Sequence, residues 1–385
     1  MSRVAVLAIL VVGALGACVP AWAQAEAPPK EGPNVTDAAG AADLPQRAVL
    51  DDVPRVGYDI HLCPFPGSLY ACMAYLGDPC DYDYLMGVTG AAFRRFFEKD
   101  DGGNVDLMYL QPEPHERAFA ALGYQFQTVP RTDKAGMIQA VKDSIARGRP
   151  VLAFVLLGPP ECAVVTGYDQ DGEVLIGWSY FQEQRDRYHE ATGWFENASP
   201  GPPVGMILIE AKEDARPSDR EVLISSLKWA VDLARTPRRP DRPNHASGLA
   251  AYDAWADALE VDADYPADDA GVMATRAMVH GDQCVMLEER NNAAAFLRQM
   301  APVIPEITGD LLAAADLYEE VAGFLPDIWR GGMPQDPEAQ RWLADPAVRR
   351  EIAGAVRAAR DKEAQAVGEL EKALAEVEGA GAEAP

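Results

Sequence analysis

The sequence predicts an α+β domain followed by an all-α domain, and three observations carry that prediction. Three runs rich in β-branched and aromatic residues, RPVLAFVLLG (149–158), CAVVTGYD (162–169) and EVLIGWSYF (173–181), follow one another across Gly-Pro-Pro and Asp-Gln-Asp-Gly, as consecutive antiparallel strands do. Helical patterns gather ahead of these strands, which favours an α+β layout over a doubly wound one. Beyond Pro217 every strong apolar pattern has the 3.6-residue period of a helix.

Taken in order, the chain opens with MSRVAVLAILVVGALGACVPAWAQA, in which Arg3, an apolar run from Val4 to Val19 and small residues at the exit form an export signal. Ala21-Trp22-Ala23 fits a signal-peptidase site and assigns residues 1–23 to the signal. Leu15-Gly16-Ala17-Cys18 offers the alternative of a lipobox with a lipid anchor on Cys18. The apolar run is shorter than the roughly 20 residues a bilayer span needs. Export places the protein in the periplasm or outside the cell, with membrane contact only through the signal or that anchor. Residues 24–50, rich in Ala, Pro, Gly and acidic side chains without an apolar period, read as a disordered linker.

The α+β domain is assigned to residues 51–212. The patterns predict helices over Ser68–Leu76 and Tyr82–Phe97, a strand over Asn104–Leu110, a helix over Pro114–Leu122, a strand over Tyr124–Val129 and a helix over Lys134–Arg147, stopped by Gly148. The three strands follow, with Asp171-Gly172 as the tight turn between the second and third. VGMILIEAK (204–212) adds a fourth. The all-α domain is assigned to residues 213–378, with a disordered tail at 379–385. It begins at a capping box of Ser218 and Glu221 and continues with helices over Gly248–Leu259, Gly271–Met300, Thr308–Phe324 and Asp345–Val377. The proline-rich TPRRPDRPNH (236–245) follows its first helix.

A formal net charge of −26 without a basic face excludes nucleic acid as a natural partner. Past the signal, five cysteines remain: Cys63, Cys72, Cys80, Cys162 and Cys284. An odd number in an oxidising compartment leaves at least one thiol outside any intramolecular pair. Cys72 and Cys80 are close enough in sequence for a local bridge.

Two segments resemble a known family. PGSLYACMAYLG (66–77) and CAVVTGYDQDGEVLIG (162–177) are similar to the first helix and the central strand pair of papain-like domains. The bacteriocin-processing double-glycine peptidases have such domains, and the N-terminal domain of the butirosin-biosynthesis acyltransferase family resembles this chain more. HASGLAAYDAWADALE (245–260) resembles the helical region of the same acyltransferase-like proteins. The resemblance implies a papain-like domain with a thiolate at a helix N-terminus, an imidazole on the facing strand and a third residue to orient it.

The family register sets the nucleophile at Pro64, one residue after Cys63. The imidazole falls at Glu161 or Cys162, and the orienting residue near Gly177 or Trp178. Cys63 is the candidate nucleophile, and the alternative is a structural or disulfide-bonded cysteine. His61 and His189 are candidate substitute bases. In this fold the Cys and His sites face each other, so a Cys63–Cys162 disulfide is a further alternative. Tyr168, Trp178 and Tyr180 are candidate cleft-lining residues for a peptide or small-molecule ligand, against the alternative that they seal the sheet on its helices.

The remaining candidates have simpler readings. His115, near a helix start, is expected to face solvent. His280, Cys284 and Glu288 share one helical face; with no second ligand pair at suitable spacing they are read as a helix face, and no metal or other cofactor is expected. Glu260–Asp269 lacks the glycine of a calcium loop and reads as a solvated connector. Two functions remain open: a degenerate papain-like protein binding a peptide or small ligand in the former cleft, or a thiol-dependent acyltransferase, amidase or peptidase using Cys63.

Overall fold

The computed structural model describes residues 44–102, 111–131, 133–154, 156–158, 161–197, 204–330 and 337–382. The expected signal, Cys18, the strand at 104–110 and most of the linker lie outside the described residues. The elements begin with β1 (Ala48–Val49), α1 (Pro64–Tyr75), α2 (Tyr82–Thr89), β2 (Phe96–Phe97), α3 (Glu113–Leu122), β3 (Tyr124–Pro130), α4 (Lys134–Ala146), β4 (Val151–Ala153), β5 (Ala163–Asp169), β6 (Val174–Trp178), β7 (His189–Thr192), α5 (Trp194–Asn197) and β8 (Val204–Lys212). They continue with α6 (Asp219–Arg235), β9 (Ala246–Ser247), α7 (Leu249–Leu259), α8 (Ala270–Glu288), α9 (Arg290–Met300), α10 (Thr308–Ala322), α11 (Leu325–Trp329), α12 (Pro337–Ala344) and α13 (Pro346–Ala382).

The result is mixed α+β, with an antiparallel sheet and a helical C-terminal region, as the periodicities predict. The division into units differs from the expected 51–212 and 213–378. One compact unit takes the residues through Pro79 together with Thr128–Ile209, and the second takes Cys80–Gln127 together with Glu210 onward. The helices on either side of Pro79 therefore belong to different units, which local periodicity cannot reveal.

In the first unit the sheet runs β3-β8-β4-β5-β6-β7, with β1 paired to β5 beyond the end of β4. Residues 47–50, inside the stretch read as linker, are part of this sheet. Ala48 and Val49 pair with Tyr168 and Gly167, Leu50 N–H donates to Thr166 O at 2.7 Å, and Arg47 meets Asp169 at 2.6 Å. The Asp171-Gly172 turn between β5 and β6 forms as expected, with Gln170, Asp171 and Gly172 all at positive φ.

Strand alternation gives the sheet two buried faces. Val151, Ala153, Ala163, Val165, Leu175, Ala191, Met206 and Leu208 pack with Met137, Val141 and Ile145 of α4. Val164 and Trp178, opposite each other in register, are buried on the other face, and α1 packs on β4 and β5 without entering the α4-side core. The sheet is thus a layer between two helices.

The second unit is helical. Phe97, Trp255, Leu287, Ile328, Ile352 and Val356 belong to one core. Ser218 forms its capping box, its Oγ accepting from Glu221 N–H while the Glu221 carboxylate accepts from Ser218 N–H at 2.8 Å. The helix expected over Tyr82–Phe97 ends at Thr89, because Gly90 takes φ +83°, and the chain continues to β2, which pairs with β9. The helix expected over Gly271–Met300 is two helices joined at Glu289. The last helix runs to Ala382, into the stretch read as a disordered tail.

The helical core also holds arginines. The Arg290 guanidinium is fully buried and donates to both Glu363 oxygens at 2.7 and 2.8 Å, and its Nη1 donates to the carbonyls of Ala92 and Arg94 at 2.9 and 3.0 Å. Arg94 pairs with buried Glu289 at 3.0 Å. A buried charge persists only where a partner replaces its lost hydration, and these pairs supply it.

Candidate functional site

Helix α1 begins at Pro64, four residues earlier than its periodicity suggests, which makes Cys63 its N-cap. Proline at N1 is favourable, since its fixed φ suits a helix start and its missing N–H is needed by no partner there. The chemical consequence is larger. Pro64 and Pro66 remove two of the N–H groups that a helix start offers to an anion, and Gly67 N–H is spent on Cys63 O at 3.1 Å. Cys63 is fully buried.

Cys162 immediately precedes β5, is buried, and its carbonyl accepts from Ser68 Oγ of α1 at 2.9 Å. The two segments named by the family resemblance therefore meet, the second turn of α1 lying against the entry to β5. Cys63 and Cys162 are both buried thiols.

Above this contact a polar and aromatic cluster gathers at the start of α1. The Tyr58 hydroxyl donates a short hydrogen bond to the Glu161 carboxylate, and the Tyr58 ring stands edge-on to Tyr180 at 4.9 Å and to Phe181 at 6.0 Å. His61 stands edge-on to Tyr70 of α1 at 4.9 Å. Gly67 is the floor of the cluster: a Cβ there would collide with the Tyr180 hydroxyl and lie 3.0 Å from His61 Cβ and 3.4 Å from His61 Nδ1. Tyr58, His61 and Glu161 are each half-buried, so the cluster reaches the surface.

The structure thus brings together Cys63, His61, Glu161, Cys162 and Tyr180 of the expected site residues. Trp178 shares the α1-side face, but its Nε1–H is spent on Val53 O at 2.8 Å and its ring packs on Tyr188 at 4.8 Å, so it seals the sheet.

Tyr168 lies on the opposite face of the sheet from α1. Plain alternation puts it on the face of Val164, but the register shifts between Val165 and Gly167, and that bulge turns Tyr168 into the α4-side core with Val165 and Leu175. There its hydroxyl donates to Pro45 O at 3.0 Å and Lys142 Nζ lies 5.5 Å from its ring.

His189 sits opposite Gly177 in register and two residues before Ala191, which places it on the α4-side face, away from α1. Burial lowers its pKa, opposed by the charge of Glu190. It is not the missing base for Cys63.

His115, expected at the surface, is buried in the second unit, and desolvation pushes its pKa down to about 4. His280 is likewise buried; its Nε2–H donates to Ile328 O at 3.2 Å, between the rings of Trp255 and Trp342 at 5.5 and 5.2 Å. Among the described residues, no three His, Cys, Asp or Glu side chains converge on a metal position. None of the described helices is long and apolar enough to cross a membrane.

Sequence reasoning missed Tyr58 and Gly67, the two residues that give the cluster its wall and floor. Gly67 sits within the quoted family segment, and a glycine inside an apolar helix pattern is itself a sign of close approach. Tyr58 carries no such signal. In comparison with known proteins, no family model matches the chain, and no curated protein is significantly similar to it.

Proposed function

We propose that this protein is an exported papain-like protein whose thiol chemistry has been lost and which binds a peptide or small ligand in the former active-site cleft, at the N-terminus of α1. The observation that carries the reading is the state of the would-be active site. A proline stands where the family's nucleophile belongs, the neighbouring Cys63 is fully buried, and the imidazole position holds Glu161 and Cys162.

A papain-like attack needs an accessible thiolate, a base in contact and backbone donors for the oxyanion. Burial of Cys63 and the prolines of the first helical turn remove the first and most of the third. What remains is a surface-reaching cluster of Tyr58, His61, Glu161 and Tyr180 on a rigid helix start: an aromatic wall, a carboxylate and an imidazole, a set suited to holding a polar, peptide-like ligand. His61 at the helix start keeps a second reading alive, a thiol acyltransferase or hydrolase in which Cys63 becomes exposed and His61 takes its proton.

Incubating the folded chain with a mixture of short peptides and identifying those retained by mass spectrometry tests the binding reading. Retained peptides should be lost in Tyr58→Phe and Glu161→Gln while Cys63→Ala keeps them. Retention indifferent to Tyr58 and Glu161 would contradict the proposal.

A further inference from the structure

The helical unit contains a feature that the cluster at the α1 start does not explain. A cavity of about 230 Å³ is lined by four arginines, Arg94, Arg95, Arg239 and Arg242, and by Phe96, Trp229 and Leu233. In a chain of formal charge −26 such a concentration of guanidinium groups is out of keeping with the overall composition.

Three of the four are balanced: Arg94 by Glu289 at 3.0 Å, Arg242 by Asp241 at 3.0 Å and Arg239 by Asp232 at 2.9 Å. Arg95 is different. It is 2% exposed, its Nη1 donates to the neutral Gln283 Oε1 at 2.9 Å, and its guanidinium lies 3.9 Å over the Tyr252 ring. The Glu363 carboxylate whose field reaches it is already held by Arg290 in a bidentate pair. Arg95 Nε is buried with no hydrogen-bond partner, and so is the hydroxyl of Ser247, another cavity-lining residue, itself 2% exposed.

A buried guanidinium that bonds only neutral groups and leaves its Nε–H unsatisfied, and a buried hydroxyl without a partner, each cost free energy that a bound acceptor would recover. The two carboxylates in the lining do not fill that role. Asp241 is engaged by Arg242, and Glu113 by Arg117 at 3.1 Å.

We propose that this cavity binds a small organic oxyanion, a carboxylate or phosphate head received by Arg95 and Ser247, with an apolar body against Phe96, Trp229 and Leu233. A cavity of about 150 Å³ accepts benzene, so this one has room for a ring with its charged head. Arg239 and Arg242, each paired with a carboxylate, lie 4.8 Å over the rings of Trp229 and Phe96 respectively and bring further guanidinium groups to the lining. Arginine suits the role because its planar donors match the geometry of carboxylate and phosphate oxygens.

Calorimetric titration of the full chain with benzoate, phenyl phosphate and the uncharged benzyl alcohol tests this. At least one of the two anions binds with 1:1 stoichiometry, and which one binds identifies the head group. Benzyl alcohol binds at least about tenfold more weakly, as loss of a charge-assisted hydrogen bond implies. Ser247→Ala weakens the anion by about threefold or more, and Arg95→Gln abolishes its binding in a protein whose circular dichroism matches wild type. Should Arg95→Gln fail to fold, Arg239→Gln, a half-buried residue of the lining, replaces it, with a loss of threefold or more expected. Absence of binding by both anions at millimolar concentration, equal affinity for benzyl alcohol, or anion binding unchanged in the folded variants would each overturn the proposal.

Discussion

At the scale of single residues, Gly67 and His280 give the sharpest expectations. Gly67 lies inside α1, where alanine would ordinarily gain about 1 kcal/mol in helix propensity. A Cβ there collides with the Tyr180 hydroxyl and presses on His61, and overpacking of that kind costs about 1–3 kcal/mol. Gly67→Ala is therefore expected to destabilise the protein despite its better propensity, measured as a lower denaturant midpoint at unchanged slope. His280 has its pKa pushed down to about 4 by burial, below the 6.5 of an exposed histidine. The unfolded chain then takes up the proton first. The contribution of neutral His280 is complete above about pH 6.5, declines as the pH falls toward 4, and is lost below that, a total on the order of 3 kcal/mol. In His280→Phe the pH dependence of stability over that window should shrink. It should not vanish, because buried His115 titrates in the same range.

At the scale of elements, Arg290 at the start of α9 and Glu363 of α13 form a buried ion pair that links the two helices. Burial alone would raise the Glu363 pKa, but the charge and hydrogen bonds of Arg290 overcome this and hold it below the ordinary carboxylate range. Its contribution is present above the unfolded carboxylate value and lost as the pH falls through the lower folded value. Glu363→Ala leaves the Arg290 charge buried and is expected to cost about 3–5 kcal/mol, read from equilibrium unfolding. Ser218→Ala removes the cap of α6 and should cost about 1 kcal/mol.

Much of this architecture was legible in the sequence. The helix over Lys134–Ala146, the strand Val204–Lys212 and the Ser218 cap all declare themselves through period, β-branching and local hydrogen-bond chemistry. What was not legible is what depends on distant partners. The bulge near Thr166 that moves Tyr168 to the other face leaves no mark in the alternation pattern, and β7 reads as polar because HEAT is shared between solvent and core. Arg94 and Arg95, two charges inside the apolar run AAFRRFF, carried a signal that a helical reading of Tyr82–Phe97 passed over.

At the scale of the whole molecule, one unit carries the tyrosine, histidine and carboxylate cluster at the α1 start and the other carries the arginine-lined cavity, and each is testable in the intact chain. The candidate site was readable to the extent that PGSLYACMAYLG and CAVVTGYD named the two segments that Ser68 and Cys162 bring together. Its wall was not, because Tyr58 reaches Glu161 across 103 residues of sequence.

The central claim is that Cys63 is a buried residue of the helix start and not a nucleophile. Alkylation of the native chain by iodoacetamide at neutral pH, followed residue by residue by mass spectrometry, tests it most directly. The account predicts that half-exposed Cys80 reacts while fully buried Cys63 stays unmodified until the chain is unfolded. Rapid, selective modification of Cys63 in the native state, abolished by Cys63→Ala and slowed by His61→Ala, would contradict it and restore the thiol enzyme.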